Sequence, residues 1–219
     1  MPVRRWILVG VGALAVGGVA FAAFGLPMLR DGGGTKVAFY GDSYTLGTGA
    51  SDYANRWSTI ISEERGWDEF NPSVNGLGFV NNRGFPSGTD LPGEVIASDP
   101  DIVFVTMGLN DNFSYDRAGE QIKQQITLDL DRIVTALPVA RIIVVEPFWY
   151  TDERPASVDI IIGWVRDAAA AIDADYIAGA SRWIEGHPEW MAADGLHPND
   201  DGYAEMARRM DAELSTIGL

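Results

Sequence analysis

Four short, continuous apolar segments follow one another along the chain after residue 35. They are "KVAFY" at 36–40, "DIVFVT" at 101–106, "RIIVV" at 141–145 and "ADYIA" at 174–178. Continuous apolar runs of this length are typical of parallel strands that are covered on both faces. The segments between them are long enough for helices, so the pattern predicts an α/β fold with a parallel sheet between helical layers.

Apolar residues at spacings of three and four predict helices that alternate with these strands. The clearest helix covers 116–137 and ends before Pro138, and we predict further helices at 54–65, 156–172 and 200–216. The apolar faces consist of Trp57, Ile60 and Ile61 in the first helix, Ile122, Ile126, Leu130, Ile133, Val134 and Leu137 in the second, Ile160, Ile161, Trp164 and Val165 in the third, and Tyr203, Met206, Met210 and Leu214 in the last.

The segment 70–94 lacks this periodicity. It reads "FNPSVNGLGFVNNRGFPSGTDLPGE" and is rich in Gly, Pro and Asn, which favour turns. We therefore predict a loop, with a short strand near 73–75. The chain has no internal repeat, and its pattern gives no sign of a second globular domain.

The first 28 residues differ from the rest. Arg4 and Arg5 precede an uncharged apolar run at 6–28, and about 20 apolar residues suffice to cross a bilayer. With a basic flank that stays in the cytoplasm, this pattern predicts a signal anchor at 1–28, a linker at 29–35 and a domain at 36–219 outside the cytoplasm. The small residues in Ala20–Ala22 also fit a cleavage site, which would make the segment a signal peptide and the protein a secreted one.

Charge and cysteine usage exclude several classes of function. The formal net charge is −15 and no Lys/Arg-rich run interrupts it, so we expect no nucleic-acid partner. The chain has no cysteine, which excludes disulfides, thiolate metal sites and a cysteine nucleophile.

Reactive polar residues follow the predicted strands, where ligands bind in parallel α/β sheets. Ser43 follows the first strand in "GDS". A serine nucleophile needs a base and a group that orients that base. Of the two histidines, His197 has Asp194 three residues before it, whereas His187 has Ile184 at that offset. On this spacing only His197 carries its own orienting acid.

An acyl-transfer site also needs donors for the oxyanion of the tetrahedral intermediate. The Asn110 side chain follows the second strand, and the backbone N–H groups of Gly78 and Ser43 are further candidates. Asp42 and Asp111, the neighbours of these residues, are expected to accept loop N–H bonds rather than to take part in the chemistry.

Four segments together resemble the SGNH hydrolase family, the GDSL esterases and lipases. "GDSYTLGTGA", "NGLGFVNN", "GLND" and "DGLHPND" hold Ser43, Gly78, Asn110 and His197 in that order, over about residues 36–215. The resemblance implies a flavodoxin-like three-layer α/β/α sandwich of about five parallel strands, the fifth within 66–75. It implies no metal and no organic cofactor.

The resemblance also implies roles for these residues. Ser43 would be the nucleophile, His197 the general base and acid, and Asp194 the orienting group. The oxyanion hole would consist of the Ser43 N–H, the Gly78 N–H and the Asn110 side chain, with Gly76 left open as an alternative to Gly78. Five aromatic residues could line a substrate pocket, but we expect at least half of them to be packing residues: Phe148, Trp149, Tyr150, Trp183 and Trp190.

The function that follows is a serine esterase outside the cytoplasm, which hydrolyses an acyl ester through an acyl-serine intermediate. Its substrate would be a small-molecule, polysaccharide or lipid ester, with an acetyl group of an envelope polysaccharide as one option. An uncleaved N-terminal helix would attach it to the membrane. The alternatives are an acyltransferase with the same triad and an inactive SGNH-like module that binds glycan.

Overall fold

The computed structural model describes residues 33–84 and 90–219. The predicted anchor at 1–28 and the first part of the predicted linker lie outside these residues. No helix within the described ranges is long and apolar enough to cross a membrane.

Five parallel strands form one sheet in the order β2-β1-β3-β4-β5. The four apolar segments predicted as strands are all confirmed. The fifth strand lies within 66–75, as expected, but the strand predicted near 73–75 is wrong: the chain pairs at "DEF" instead, where polar, partly exposed residues form an edge strand with little hydrophobic signal. The strands are β1 (Lys36–Gly41), β2 (Asp68–Phe70), β3 (Ile102–Thr106), β4 (Arg141–Val145) and β5 (Asp175–Ile177).

Three long helices match their predicted bounds to within one residue. The segment predicted as one helix at 54–65 is instead a 3₁₀ turn at Tyr53–Asn55 and a separate α-helix from Trp57, with the extended residue Arg56 between them. A helix that begins inside the predicted loop and extends beyond it was missed, although Asp90 caps it and Pro92 lies in its first turn. The helices are α1 (Ser43–Leu46), α2 (Trp57–Arg65), α3 (Leu91–Ala97), α4 (Tyr115–Ala136), α5 (Ala156–Ala171) and α6 (Asp200–Thr216).

Alternate strand residues supply two separate cores, which gives the three layers that were predicted. Phe39 and Phe104 pack on one side with α2 and α6. Tyr40 and Val105 pack on the other side with α3, α4 and most of α5. The predicted apolar stripe of α6 is buried throughout, whereas the assignment of Ile160 to the apolar face of α5 is wrong, since 39% of this residue is exposed.

Candidate active site

The serine turn is built by the residues that flank Ser43. β1 ends at Gly41, and Asp42 caps α1 by accepting the Tyr44 N–H through Oδ1 at 3.0 Å. A Cβ at Gly41 would lie 2.4 Å from the Cβ of Thr45, so a larger residue would prevent the chain from folding back here. Ser43 is therefore the first residue of a short helix at the carboxyl end of β1, and it is 4% exposed.

Asp194 holds His197 from two directions. Its Oδ2 lies 2.6 Å from Nδ1 of the ring, and its Oδ1 accepts the backbone N–H of His197 at 3.0 Å. The hydrogen bond from His197 lowers the pKa of Asp194 to about 2. The carboxylate is therefore ionised at neutral pH and fixes the ring with Nδ1–H toward it, which leaves Nε2 as the proton acceptor.

Two tyrosines connect the segment around the serine turn with its neighbours, one with the loop of His197 and the other with α6. Tyr44 donates its hydroxyl to the carbonyl of Leu196 at 2.7 Å, and its ring centroid lies 6.1 Å from that of His197. Tyr203 on α6 donates to the carbonyl of Thr48 at 2.8 Å. In the described residues no hydrogen bond joins Ser43 Oγ to the His197 ring, and catalytic hydrogen bonds of this kind often tighten only when substrate binds.

Asn110 lies beside the serine turn and is 7% exposed. It opens the 3₁₀ turn that follows β3. Its Nδ2 donates to Oδ2 of Asp42 at 3.2 Å and to the carbonyl of Leu77 at 3.0 Å. Both amide hydrogens have acceptors, so an oxyanion at this position would have to take the place of one of them.

The two candidate glycines differ in what surrounds them. The Gly78 N–H donates to the carbonyl of Asn81 at 2.9 Å, and a Cβ at Gly78 would lie 2.6 Å from the carboxylate of Asp111. Gly76 has a φ of 70°, and its N–H has no hydrogen-bond partner within residues 33–84 and 90–219. The close approach of Asp111 is by itself enough to require a glycine at position 78.

Asp111 connects the loop that carries Gly76 and Gly78, called the glycine loop below, to the turn that begins at Asn110. Its carboxylate accepts the backbone N–H groups of Phe79, Val80 and Asn81 at 2.7, 2.8 and 3.1 Å. Burial raises its pKa, and these three bonds oppose that rise. The expectation that Asp111 and Asp42 accept loop N–H bonds is confirmed.

A second histidine–acid pair lies on the surface, in the segment that is hydrogen-bonded to the residues after His197. His187 Nδ1 lies 2.7 Å from Oε1 of Glu189, and the ring stacks on Trp190 at a centroid distance of 3.6 Å. The prediction that only His197 has its own acid is therefore wrong. The partner lies two residues after His187, whereas the prediction rested on an acid three residues before the histidine.

Most of the aromatic residues near the site are core residues, as expected. Phe148 stacks on Tyr44 with a centroid distance of 5.8 Å and also contacts Trp183. Three of the five are buried and two are partly exposed: Phe148, Trp149 and Trp183 in the first group, Tyr150 and Trp190 in the second. Within the described residues, no group of three His, Cys, Asp or Glu side chains could hold a metal ion.

Comparisons with known proteins agree on one family. The model of the GDSL-like lipase/acylhydrolase family matches residues 39–205. The GDSL lipase Rv0518 of Mycobacterium tuberculosis is 27% identical over 200 residues, which cover 86% of this chain and 85% of that protein.

Solved structures share the fold at low sequence identity. TesA superposes with a TM-score of 0.69 at 17% identity, over 82% of this chain and 97% of that one. A variant of Axe2, an acetylxylan esterase from Geobacillus stearothermophilus, gives a TM-score of 0.64 at 18% identity, over 87% and 97% of the two chains.

Proposed function

Because this chain belongs to the GDSL-like lipase/acylhydrolase family and is a carboxylic ester hydrolase, we propose that Ser43 is its nucleophile and works with His197 and Asp194. The observation that carries the proposal is the ionised Asp194 on Nδ1 of His197, in a loop fastened to the serine turn by Tyr44. This arrangement supplies a nucleophile, a base and an orienting acid.

The reaction proceeds in two halves. His197 Nε2 takes the proton of Ser43 Oγ while Oγ attacks the carbonyl carbon of the ester. His197 then gives that proton to the leaving alcohol oxygen as the C–O bond breaks, which leaves an acyl-serine. Water repeats the sequence: it loses a proton to His197, attacks the acyl carbon, and releases the carboxylic acid as Ser43 regains its proton.

The negative oxygen of each tetrahedral intermediate needs fixed donors. The Ser43 N–H and the Asn110 amide are two of them. For the third, Gly78 is the sequence-based choice, but its N–H already donates to Asn81. The Gly76 N–H has no partner among the residues that the structure describes, which makes that glycine the better candidate.

The proposed substrate is a short acyl ester on a sugar. The acetylxylan esterase Axe2 shares the fold, and this likeness is the support for the acetyl group. The N-terminal sequence supports a location outside the cytoplasm, where an envelope polysaccharide would be within reach and a membrane anchor would hold the domain close to it.

The test is a series of p-nitrophenyl esters from acetate to palmitate, together with acetylated xylan oligosaccharides, given to the full chain. We expect the highest kcat/KM for acetyl esters and release of acetate from the oligosaccharide. A preference for long chains would contradict the substrate proposal. Acetyl transfer to an added sugar in place of water would indicate the transferase, and glycan binding without turnover would indicate the inactive module.

A further inference from the structure

An open cavity of about 410 Å³ lies beside the proposed triad. It is lined by the segment 46–53, which follows the serine turn, and by Asn75, which precedes Gly76. The first wall begins next to the proposed nucleophile, because the Thr48 N–H donates to the Ser43 carbonyl at 3.0 Å. The hydroxyl of Thr48 donates to Oδ1 of Asn75, so the two walls are joined.

The cavity also adjoins the proposed base. Gly49 belongs to its lining, and a Cβ added to this glycine would lie 3.0 Å from Cβ of His197. In the proposed reaction His197 gives its proton to the leaving alcohol, so the alcohol part of the ester lies on the side of this histidine. The cavity is therefore placed to receive the alcohol part rather than the acyl group.

Tyr53 supplies an aromatic ring to this lining. The residue is 65% exposed, and the Arg56 guanidinium lies over its ring at 5.1 Å from the centroid. Arg56 is itself fixed, since its Nε donates to the Thr59 hydroxyl at 2.8 Å and its Nη2 pairs with Glu69 at 3.2 Å. One face of the Tyr53 ring is thus supported by a cation, and among the described residues no other ring or cation stacks on it.

Four polar side chains accompany this ring in the lining: Thr48, Ser51, Asp52 and Asn75. Within residues 33–84 and 90–219, Nδ2 of Asn75 and Oδ2 of Asp52 have no hydrogen-bond partner, so a donor and an acceptor are available to a ligand. An acyl chain would remove water from these groups without replacing its hydrogen bonds. The Asp52 carboxylate would also repel an anionic head group.

A neutral sugar matches this combination of groups. The C–H bonds of a sugar ring pack on the negative face of an aromatic ring, and its hydroxyl groups donate to carboxylates and accept from amides. The wall is also held in place before a ligand binds, since Ser51 donates its N–H and its hydroxyl to Asp200 at 2.7 and 2.6 Å. We propose that this cavity binds the sugar ring that carries the ester, with Tyr53 as its stacking platform.

The kinetic test rests on the proposed function and compares a sugar ester with a small one. For acetylated xylan oligosaccharides, Tyr53→Ala should lower kcat/KM about 10-fold or more, mainly through a higher KM. For ethyl acetate, whose alcohol is much smaller than a sugar ring, the same change should leave kcat/KM within about 3-fold of wild type. Equal losses on the two esters, or no loss on the sugar ester, would overturn the proposal.

Two variants separate stacking from effects on folding. Tyr53→Phe keeps the ring and should retain kcat/KM on the sugar ester within about 3-fold of wild type. Leu128→Ala also removes a large exposed side chain, but one on α4 and outside this cavity, so it should leave turnover of both esters unchanged. A loss in Tyr53→Phe as large as that in Tyr53→Ala would assign the effect to the hydroxyl group and contradict the stacking platform.

A binding measurement without turnover separates this proposal from the proposed function. The ring signals of Tyr53 in ¹H–¹³C spectra are assigned by their disappearance in Tyr53→Phe. We expect at least one of xylo-, cello- and chito-oligosaccharides to shift them saturably, in wild type and in Ser43→Ala alike. Saturable shifts would support the subsite even if no ester is turned over. If none of the three sugars shifts these signals, or if decanoate shifts them instead, the proposal is overturned even in an active esterase.

Discussion

Nδ1 of His197 lies 2.6 Å from Oδ2 of Asp194, and the second carboxylate oxygen of Asp194 accepts the backbone N–H of the same histidine. One acid thus fixes both the ring and the backbone of the residue that it orients. The pairing depends on a tight loop in which Gly195 has a φ of 63°. The three-residue spacing is what allows a single side chain to make both contacts.

Asp194→Asn should lower kcat by about 10²- to 10⁴-fold, because an amide can stabilise the wrong ring tautomer and cannot stabilise the imidazolium. Steady-state kinetics on an ester substrate measure this loss. Glu189→Gln changes the matching acid of the His187 pair and should leave kcat unchanged. Equal effects of the two changes would refute the assigned role of Asp194.

Because of Asp42, the free energy of unfolding should be larger in mild acid than at slightly alkaline pH. Its pKa is about 7 in the folded protein, against 3.8 ordinarily, so between these values the folded state binds a proton that the unfolded state lacks. The contribution to the free energy of unfolding is therefore largest below about pH 4 and falls as pH rises through 7. For Asp42→Asn, urea unfolding should show a change between pH 5 and pH 8 that is about 2 kcal/mol smaller than in wild type.

The acids with strongly lowered pKa values do not contribute to the pH dependence of unfolding between pH 5 and pH 8. Asp194 and Glu205 both have pKa values of about 2, so they lose their stabilising effect only in stronger acid. An identical pH dependence in wild type and Asp42→Asn would show that the Asp42 carboxyl is not buried in the way described.

Two arginine–aspartate pairs at α4 should differ sharply in their contribution to stability. Arg83 pairs with the buried Asp129, whereas Arg132 pairs with Asp90 and both partners are about half exposed. Arg83→Ala should lower the free energy of unfolding by about 3 kcal/mol, because it leaves a buried carboxylate without its cation. Arg132→Ala should cost less than about 1 kcal/mol. Urea unfolding of both variants measures the difference, and equal losses would contradict it.

Gly78→Ala should loosen the glycine loop. The new methyl group would stand 2.6 Å from the Asp111 carboxylate, which holds three N–H groups of that loop. We expect a loss of about 1–3 kcal/mol in stability, with lower activity because the loop carries both candidate glycines. Gly84→Ala is the matched control in the same segment, since a Cβ there meets no atom within 4 Å. Similar unfolding midpoints for the two variants would disprove the close contact.

The parts of the fold that sequence patterns predicted are those with strong local signals. The stripe of α6 repeats at the helical period, and the strands β1, β3 and β4 are continuous apolar runs typical of a covered parallel sheet. β2 was not predicted, because an edge strand of three residues buries little apolar surface. α3 was not predicted, because Pro92 and Gly93 in its first turn are residue types that favour loops.

The site shows the same division between local and distant signals. His197 and Asp194 are three residues apart and could be paired from the sequence. The contacts of Asp42 with Asn110 and of Asp111 with Val80 join residues 68 and 31 positions apart. Such contacts depend on the folded sheet edge, so only the general role of these acids as acceptors could be predicted.

The role of Ser43 is tested most directly by ester turnover of the full chain beside Ser43→Ala, His197→Ala and His187→Ala. Hydrolysis of p-nitrophenyl acetate should vanish in the first two variants and persist in the third. Mass spectrometry after reaction with a fluorophosphonate should locate the covalent adduct on Ser43. Turnover that survives in folded Ser43→Ala, or an adduct on another residue, would contradict the central claim that Ser43 is the nucleophile.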